Sequence, residues 1–133
     1  MAKVKQFTVT VENRPGATAE VAAALADAKV NILALVGNAN EQQGRIQLVV
    51  DNPGRAKKAL QAANISHQEA TVEQVELPNK PGALATHLKK LAAKGVNLDS
   101  VYATASKNSK RSTIIIGAQS AAAAKPVRAA GAA

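Results

Sequence analysis

The 133-residue chain contains no cysteine and no tryptophan. Disulfides, zinc fingers, thiolate nucleophiles and iron–sulfur ligation are therefore excluded together. Phe7 and Tyr102 are its only aromatic residues, which leaves almost nothing on which nucleic-acid bases could stack. Its two histidines, His67 and His87, have no neighbours in sequence that would complete a metal-ligand set. His67 falls on a strand-like run and His87 reads as the polar side of a helix, so both are expected to be solvated or hydrogen-bonded. Carboxylates are scattered singly, with no acid pair and no Ser-His-Asp order. No catalytic residue, metal or cofactor is expected. Long apolar runs are missing too. The most apolar stretch, residues 21–36, is interrupted by Asp27, Lys29 and Asn31, and residues 1–7 lack the apolar segment of a secretory signal. A soluble cytoplasmic protein outside the membrane is the expectation.

What is present is a hydrophobic fraction of 47% with 20% charged residues, enough for one ordinary domain or two very small ones. The motif Asn13-Arg14-Pro15-Gly16-Ala17 returns as Asn79-Lys80-Pro81-Gly82-Ala83, an offset of 66 residues. The same offset carries Leu25-Ala26 onto Leu91-Ala92, Val30-Asn31-Ile32 onto Val96-Asn97-Leu98, and Arg45 onto Arg111, with no gap required. A first module over residues 1–72 and an incomplete second one over 73–118 follow, with an alanine-rich tail at 119–133 that is expected to be partly disordered. Each module lies near the lower size limit for an independent core.

In the first module, residues 4–12 alternate with Phe7, Val9 and Val11 on one face, the period of a half-buried strand. An amphipathic helix over 17–28 carries Val21, Leu25 and Ala28, with Pro15 near its first turn. Two β-rich runs, 32–36 and 45–51, flank a glycine-containing loop at 40–44, and Asn52-Pro53-Gly54 opens a second helix through Ala63. An extended stretch at 66–77 closes the module. The order is βαββαβ, a ferredoxin-like α+β arrangement of an antiparallel sheet with two helices on one face. The second module repeats it with a strand near 74–77, a helix bearing Leu84, Leu88 and Leu91, and strands at 98–103 and 113–117. The copy stops after this third strand. A short helix near 120–125 is expected in the tail.

Both modules place an Asn-basic-Pro-Gly-Ala turn between the first strand and first helix, where free backbone N–H groups can hold a carboxylate. Each places a second asparagine 18 residues later, Asn31 and Asn97, at the entry to the second strand. A helix of this length returns the chain by ~20 Å, so the paired asparagines of one module are expected to meet across an interface between modules. A carboxamide offers both a donor and an acceptor, which suits a zwitterion.

The Asn-x-Pro-Gly turn, the Val-Asn-Ile or Val-Asn-Leu strand entry and the βαββαβ order resemble the ACT domain, a small regulatory module. The resemblance covers residues 4–118, and the whole chain looks like a freestanding tandem ACT protein. It implies an amino-acid ligand held between two paired domains, touching the turn of one (Asn13, Pro15, Gly16 and Ala17, or Asn79, Pro81, Gly82, Ala83 and Leu84) and the second strand of the other (Asn31 or Asn97). Family turns carry a bulky aliphatic residue after Pro-Gly-Ala. Leu84 fits and Thr18 does not, which places more weight on the second turn. The short second module leaves an open sheet edge, for which homodimerisation is the remedy.

Plainer alternatives remain for each motif. A Pro-Gly turn can be only a turn with asparagine as local cap, and Asn31 and Asn97 can be helix C-terminal residues in the left-handed conformation. Three functions therefore compete: a sensor of an amino acid or small carboxylate, a structural dimerisation subunit, and a nucleic-acid binder. The last is disfavoured by the absence of aromatics from either third strand. The formal net charge of +8 is unevenly spread. Residues 1–78 are neutral, whereas residues 79–133 hold nine basic side chains against Asp99 alone. Beyond a solvated face, this asymmetry suggests an acidic partner surface docking on the second module.

Overall fold

The computed structural model describes residues 2–119. They form, in order, β1 (Ala2–Glu12), α1 (Ala17–Asp27), β2 (Ile32–Ala39), β3 (Gln43–Val50), α2 (Pro53–Ala62), β4 (His67–Pro78), α3 (Ala83–Ala93), β5 (Asn97–Thr104) and β6 (Arg111–Gln119). The helix expected near 120–125 and the expected disordered tail lie outside the described residues. No helix among those described is long and apolar enough to cross a membrane. The described residues divide into two compact units, Val4–Thr71 and residues 72–119 with residues 2–3, and the division falls inside β4.

The first unit has the ferredoxin-like βαββαβ order, with its sheet arranged β2-β3-β1-β4. Period-two alternation sends Phe7 and Val9 to one face, and the antiparallel register sets them opposite Leu48 and Ile46. Val21 and Leu25 of α1 and Ala56 and Leu60 of α2 close over them in one buried core. The helices start by different devices. Asn52 caps α2, accepting the Arg55 amide at 3.0 Å, with Pro53 at the first position. By contrast α1 has Gly16 at its N-cap at φ 87° and no side-chain cap. Pro15 stands before that cap rather than in the first turn.

The second unit has strand order β4-β6-β5 with α3. Its smaller core is built on Val75, Ile114 and Ile116, with Leu77, Leu91 and Leu98 packed against it. None of α3 is fully buried, whereas α1 buries Ala17, Val21 and Leu25. His87 occupies the position equivalent to Val21. It is half-buried on the core side of α3 rather than on its polar side, and its Nε2 reaches neither solvent nor a hydrogen-bond partner among the described residues. His67 is tied in by a 3.1 Å contact between Nδ1 and the Ile65 carbonyl, and its ring meets Phe7 edge-on at 5.6 Å.

The 66-residue offset does not hold to the end of the repeat. In β1 and β3, Glu12 lies opposite Gln43. In β4 and β6, Pro78, the counterpart of Glu12, lies opposite Arg111. The third strands are thus offset by 68, and the second hairpin loop is two residues longer than the first. Arg111 is the counterpart of Gln43, and Arg45 corresponds to Thr113, which faces Glu76 as Arg45 faces Thr10. The gapless match of Arg45 to Arg111 was a coincidence of two basic residues across an insertion.

Candidate functional site

Each turn is tied to the adjacent hairpin by its asparagine. The Asn13 amide donates to the Gln42 carbonyl at 3.1 Å and its Nδ2 to the Asn40 carbonyl at 2.6 Å. The Asn40 side chain in turn accepts from the amides of Gln42 and Gln43. In the second unit the Asn79 amide donates to Lys110 at 2.9 Å, and its Nδ2 donates to Ser106 at 3.0 Å and to Ser109 at 2.9 Å. The longer loop supplies the additional carbonyl. Neither asparagine is a helix cap. Both Nδ2 hydrogens of Asn79 are taken by the hairpin, and the Nδ2 of Asn13 makes one such bond.

Beyond the clamp the two turns match closely. Gly16 and Gly82 adopt φ 87° and 88°, a left-handed conformation that costs an L-residue ~1 kcal/mol or more. A Cβ added to either would meet nothing within 4 Å. Backbone conformation requires glycine there, and open space stands above it. No side chain caps either helix; the Ala17 and Ala83 amides turn back to the Arg14 and Lys80 carbonyls at 3.3 Å, while the amides of Thr18 and Ala19, and of Leu84 and Ala85, have no hydrogen-bond partner among the described residues. An open cavity adjoins each turn. One of about 250 Å³ is lined by Asn13, Arg14, Ala17 and Thr18 together with the end of β2. The other, of about 220 Å³, is lined by Asn79, Lys80, Leu84 and residues 103–105. Leu84 is exposed, and its counterpart Thr18 is polar. Pro15 and Pro81 set the turn between clamp and glycine, while Ala17 and Ala83 are the first helical residues.

The second asparagines lie elsewhere. The Asn31 amide donates to the Asp51 carboxylate at 2.9 Å, and its carbonyl accepts from the Asp51 amide at 3.0 Å. These contacts are at the far end of β3 from the Asn13 clamp, and eight strand residues at about 3.3 Å each separate the two by roughly 25 Å. Asn97 likewise begins β5, whose opposite end reaches the Asn79 clamp. Within a unit, turn and second asparagine are not brought together. Neither Asn31 nor Asn97 is left-handed. That role falls to Lys29 (φ 64°) and Gly95 (φ 75°), two residues earlier in each copy. Both asparagines are exposed, and a register shift follows each, between Ile32 and Ala34 in β2 and between Leu98 and Ser100 in β5. Bulges of this kind re-aim side chains at strand ends. Nothing in the residue types announces them.

The charges at the two turns differ. The Arg14 guanidinium forms a forked pair with Glu20, Nη1 to Oε2 at 2.8 Å and Nη2 to Oε1 at 2.9 Å. The pair holds the Glu20 carboxyl below its ordinary range, chiefly through the hydrogen bond and then through charge. Thr86 occupies the place of Glu20 in the second unit, and Lys80 takes part in no ion pair among the described residues. Sequence reading missed this pair. Its signal was an acid in the first helical turn six residues after the basic turn residue.

A family model described as an ACT domain pair matches residues 2–128. Among solved structures, a protein from Bacteroides thetaiotaomicron is similar at 29% identity with a TM-score of 0.82, over 97% of this chain and 88% of that one. The ligand-free regulatory subunit of aspartate kinase from Thermus thermophilus shares the fold at 20% identity and a TM-score of 0.63, over 86% of this chain and 82% of that one. The regulatory subunit of aspartate kinase from Thermus flavus does so at 18% and 0.60, over 96% and 89%. No curated protein sequence matches. The repeated clamp, the repeated left-handed glycine, the duplicated βαβ order and the match over nearly the whole chain agree, and the chain belongs to the ACT domain pair family.

Proposed function

We propose that this regulatory-family protein acts by binding alone, as a cytoplasmic sensor of an amino acid or a similar small carboxylate, with ACT-like modules at residues 1–72 and 73–118. The ligand carboxylate rests on the open helix start at Gly16-Ala17 or Gly82-Ala83, beside Pro15 or Pro81. Its other end meets Asn31 or Asn97 at the second-strand entry of a paired module. Since turn and second asparagine lie at opposite ends of a unit, the pair is completed by a second copy of the chain. The observation that carries this reading is the duplicated turn, left open above glycine and flanked by a cavity in both copies. Edge strand β2 supports homodimerisation, because it exposes Leu33 at 49% and Leu35 at 42%. Binding changes module pairing and thereby the behaviour of a partner enzyme or of the oligomer itself. Lys89 and Lys90 of α3 and Lys94 at its C-cap offer a face for an acidic partner, whose capture should be lost when salt rises from about 50 to about 500 mM.

A thermal-shift panel of the twenty amino acids tests the reading. A ligand at one hundred times its Kd stabilises the native state by about 2.7 kcal/mol per site, several degrees for domains this small. Asn97→Ala should abolish the shift. The second reading, a dimerisation subunit without ligand, is favoured by the commitment of the Asn13 and Asn79 donors to the hairpin. It takes over if no amino acid shifts the melting temperature.

A further inference from the structure

The two residues inserted in the second hairpin loop come with charge. That loop carries Lys107 and Lys110 and leads into Arg111, whereas the first loop, Asn40-Glu41-Gln42, carries one acid. The Asn79 clamp brings the loop to the turn. Its amide and Nδ2 bond Lys110, Ser106 and Ser109, while Arg111 lies opposite Pro78 in the ladder. Lys80 lines the adjoining cavity of about 220 Å³. Four cations therefore share one end of the second unit.

Little nearby negative charge balances them. Asp99 lies five residues along β5 from Thr104, about 17 Å from the hairpin end. Glu76 is the nearest carboxylate on β4, and it accepts a 2.7 Å hydrogen bond from the Thr113 hydroxyl. Arg111 reaches only the backbone carbonyl of Glu76, at 3.3 Å. Lys80, Lys107 and Lys110 enter no ion pair among the described residues. The first turn shows the opposite balance: Arg14 is neutralised by Glu20, and against Arg45, which also lines its cavity, stand Glu12 and Glu41.

We propose that the second turn selects a small ligand bearing a second negative charge besides its carboxylate, a dicarboxylic or phosphorylated amino acid, and that the first turn does not. This rests on the reading that the turn is a ligand site and names the class it takes. The carboxylate occupies the open helix start, while Lys80, Lys107 and Lys110 receive the other anionic group. Clustered cations beside an apolar wall, here Leu84, raise local anion concentration and favour charged over neutral isosteres.

Calorimetric titration of the full chain with L-aspartate, L-asparagine, O-phospho-L-serine and L-serine tests it, in low and in high salt. The expected result is that one charged member of a pair binds at least about tenfold more tightly than its neutral counterpart. The preference should shrink in high salt and disappear in a Lys80→Ala/Lys110→Ala variant, while Lys58→Ala leaves it unchanged. Lys110 gives the fold only its backbone carbonyl, so that variant should keep its melting temperature. The charged member that binds tells whether carboxylate or phosphate is the source. Equal binding within both pairs, or a neutral amino acid of the wider panel binding alone, overturns the inference and leaves the sensor reading standing. Binding of poly-L-glutamate without any of the four amino acids makes the surface a site for acidic protein and overturns it as well. No shift by any amino acid brings down both.

Discussion

Asn79 and Ser109, thirty residues apart, are joined by a 2.9 Å hydrogen bond from a side-chain amide to a backbone carbonyl, and the same Nδ2 also holds Ser106 at 3.0 Å. Turn and hairpin thus move as one piece. The equivalent bond from Asn13 to Asn40 shows that the clamp belongs to the module rather than to one loop sequence.

Asn79→Ala is accordingly expected to destabilise the chain by about 1–2 kcal/mol, the worth of two such bonds, with or without ligand. Asn97→Ala should stay within about 0.5 kcal/mol, because its exposed side chain sits at a strand start. Urea denaturation of both variants checks this. Loss of binding in Asn79→Ala then has two causes, loss of the site and loss of the fold that frames it, whereas loss in Asn97→Ala has one. Equal stability of the two variants would mean that the clamp is dispensable.

Lys29 and Gly95 do the same work at the ends of α1 and α3, with φ of 64° and 75°. A Cβ is strained in this region, and only part of the relief is returned as unfolded-state entropy when glycine replaces it. Lys29→Gly is therefore expected to stabilise by about 0.5–1 kcal/mol, and Gly95→Lys to destabilise by a similar amount. A gain absent from the first and a loss absent from the second, by thermal or urea melts, would show that the strain is relieved elsewhere.

Much of the fold was legible because it is written in local rules. Alternation placed Phe7 and Val9 on the core face, Asn52-Pro53 announced the start of α2, and the repeated Asn-x-Pro-Gly marked both turns before any coordinate. What was missed is set by pairing between distant segments. The inserted loop residues were hidden because Arg45 and Arg111 matched in type at the wrong register. The asparagine donors reach carbonyls 27 and 30 residues away, a partner that no spacing rule names. His87 looked polar by type, yet the repeat itself carried the signal, because its counterpart Val21 is a core residue.

That mismatch yields its own expectation. Among the described residues the His87 Nε2 is buried without a partner, at a position where the other module places Val21, which is 2% exposed. An unsatisfied buried nitrogen costs about 1–3 kcal/mol. Replacing it by valine, the residue the other module has there, removes that cost and adds an apolar side chain to the core of Val75, Ile114 and Ile116. His87→Val should raise stability by roughly 1 kcal/mol, several degrees in melting temperature. An unchanged or lower melting temperature would mean that the imidazole is satisfied in solution.

Tyr102 stands opposite Ile115, itself 1% exposed, and burial pushes the phenol up from its ordinary value near 10 to about 12. Burial disfavours the phenolate, so between about pH 10 and 12 the unfolded chain releases this proton while the folded chain keeps it. Its contribution to stability is therefore complete below pH 10 and is lost as pH rises through that window. A bulk stability curve sums every group that changes charge in this window and is ambiguous. The absorbance of the phenolate is not, since Tyr102 is the only tyrosine and there is no tryptophan. The native protein should show one spectroscopic midpoint near 12, falling to about 10 in urea. A native midpoint near 10 would place the ring in solvent, and with it the face of β5 that holds Tyr102 against β6.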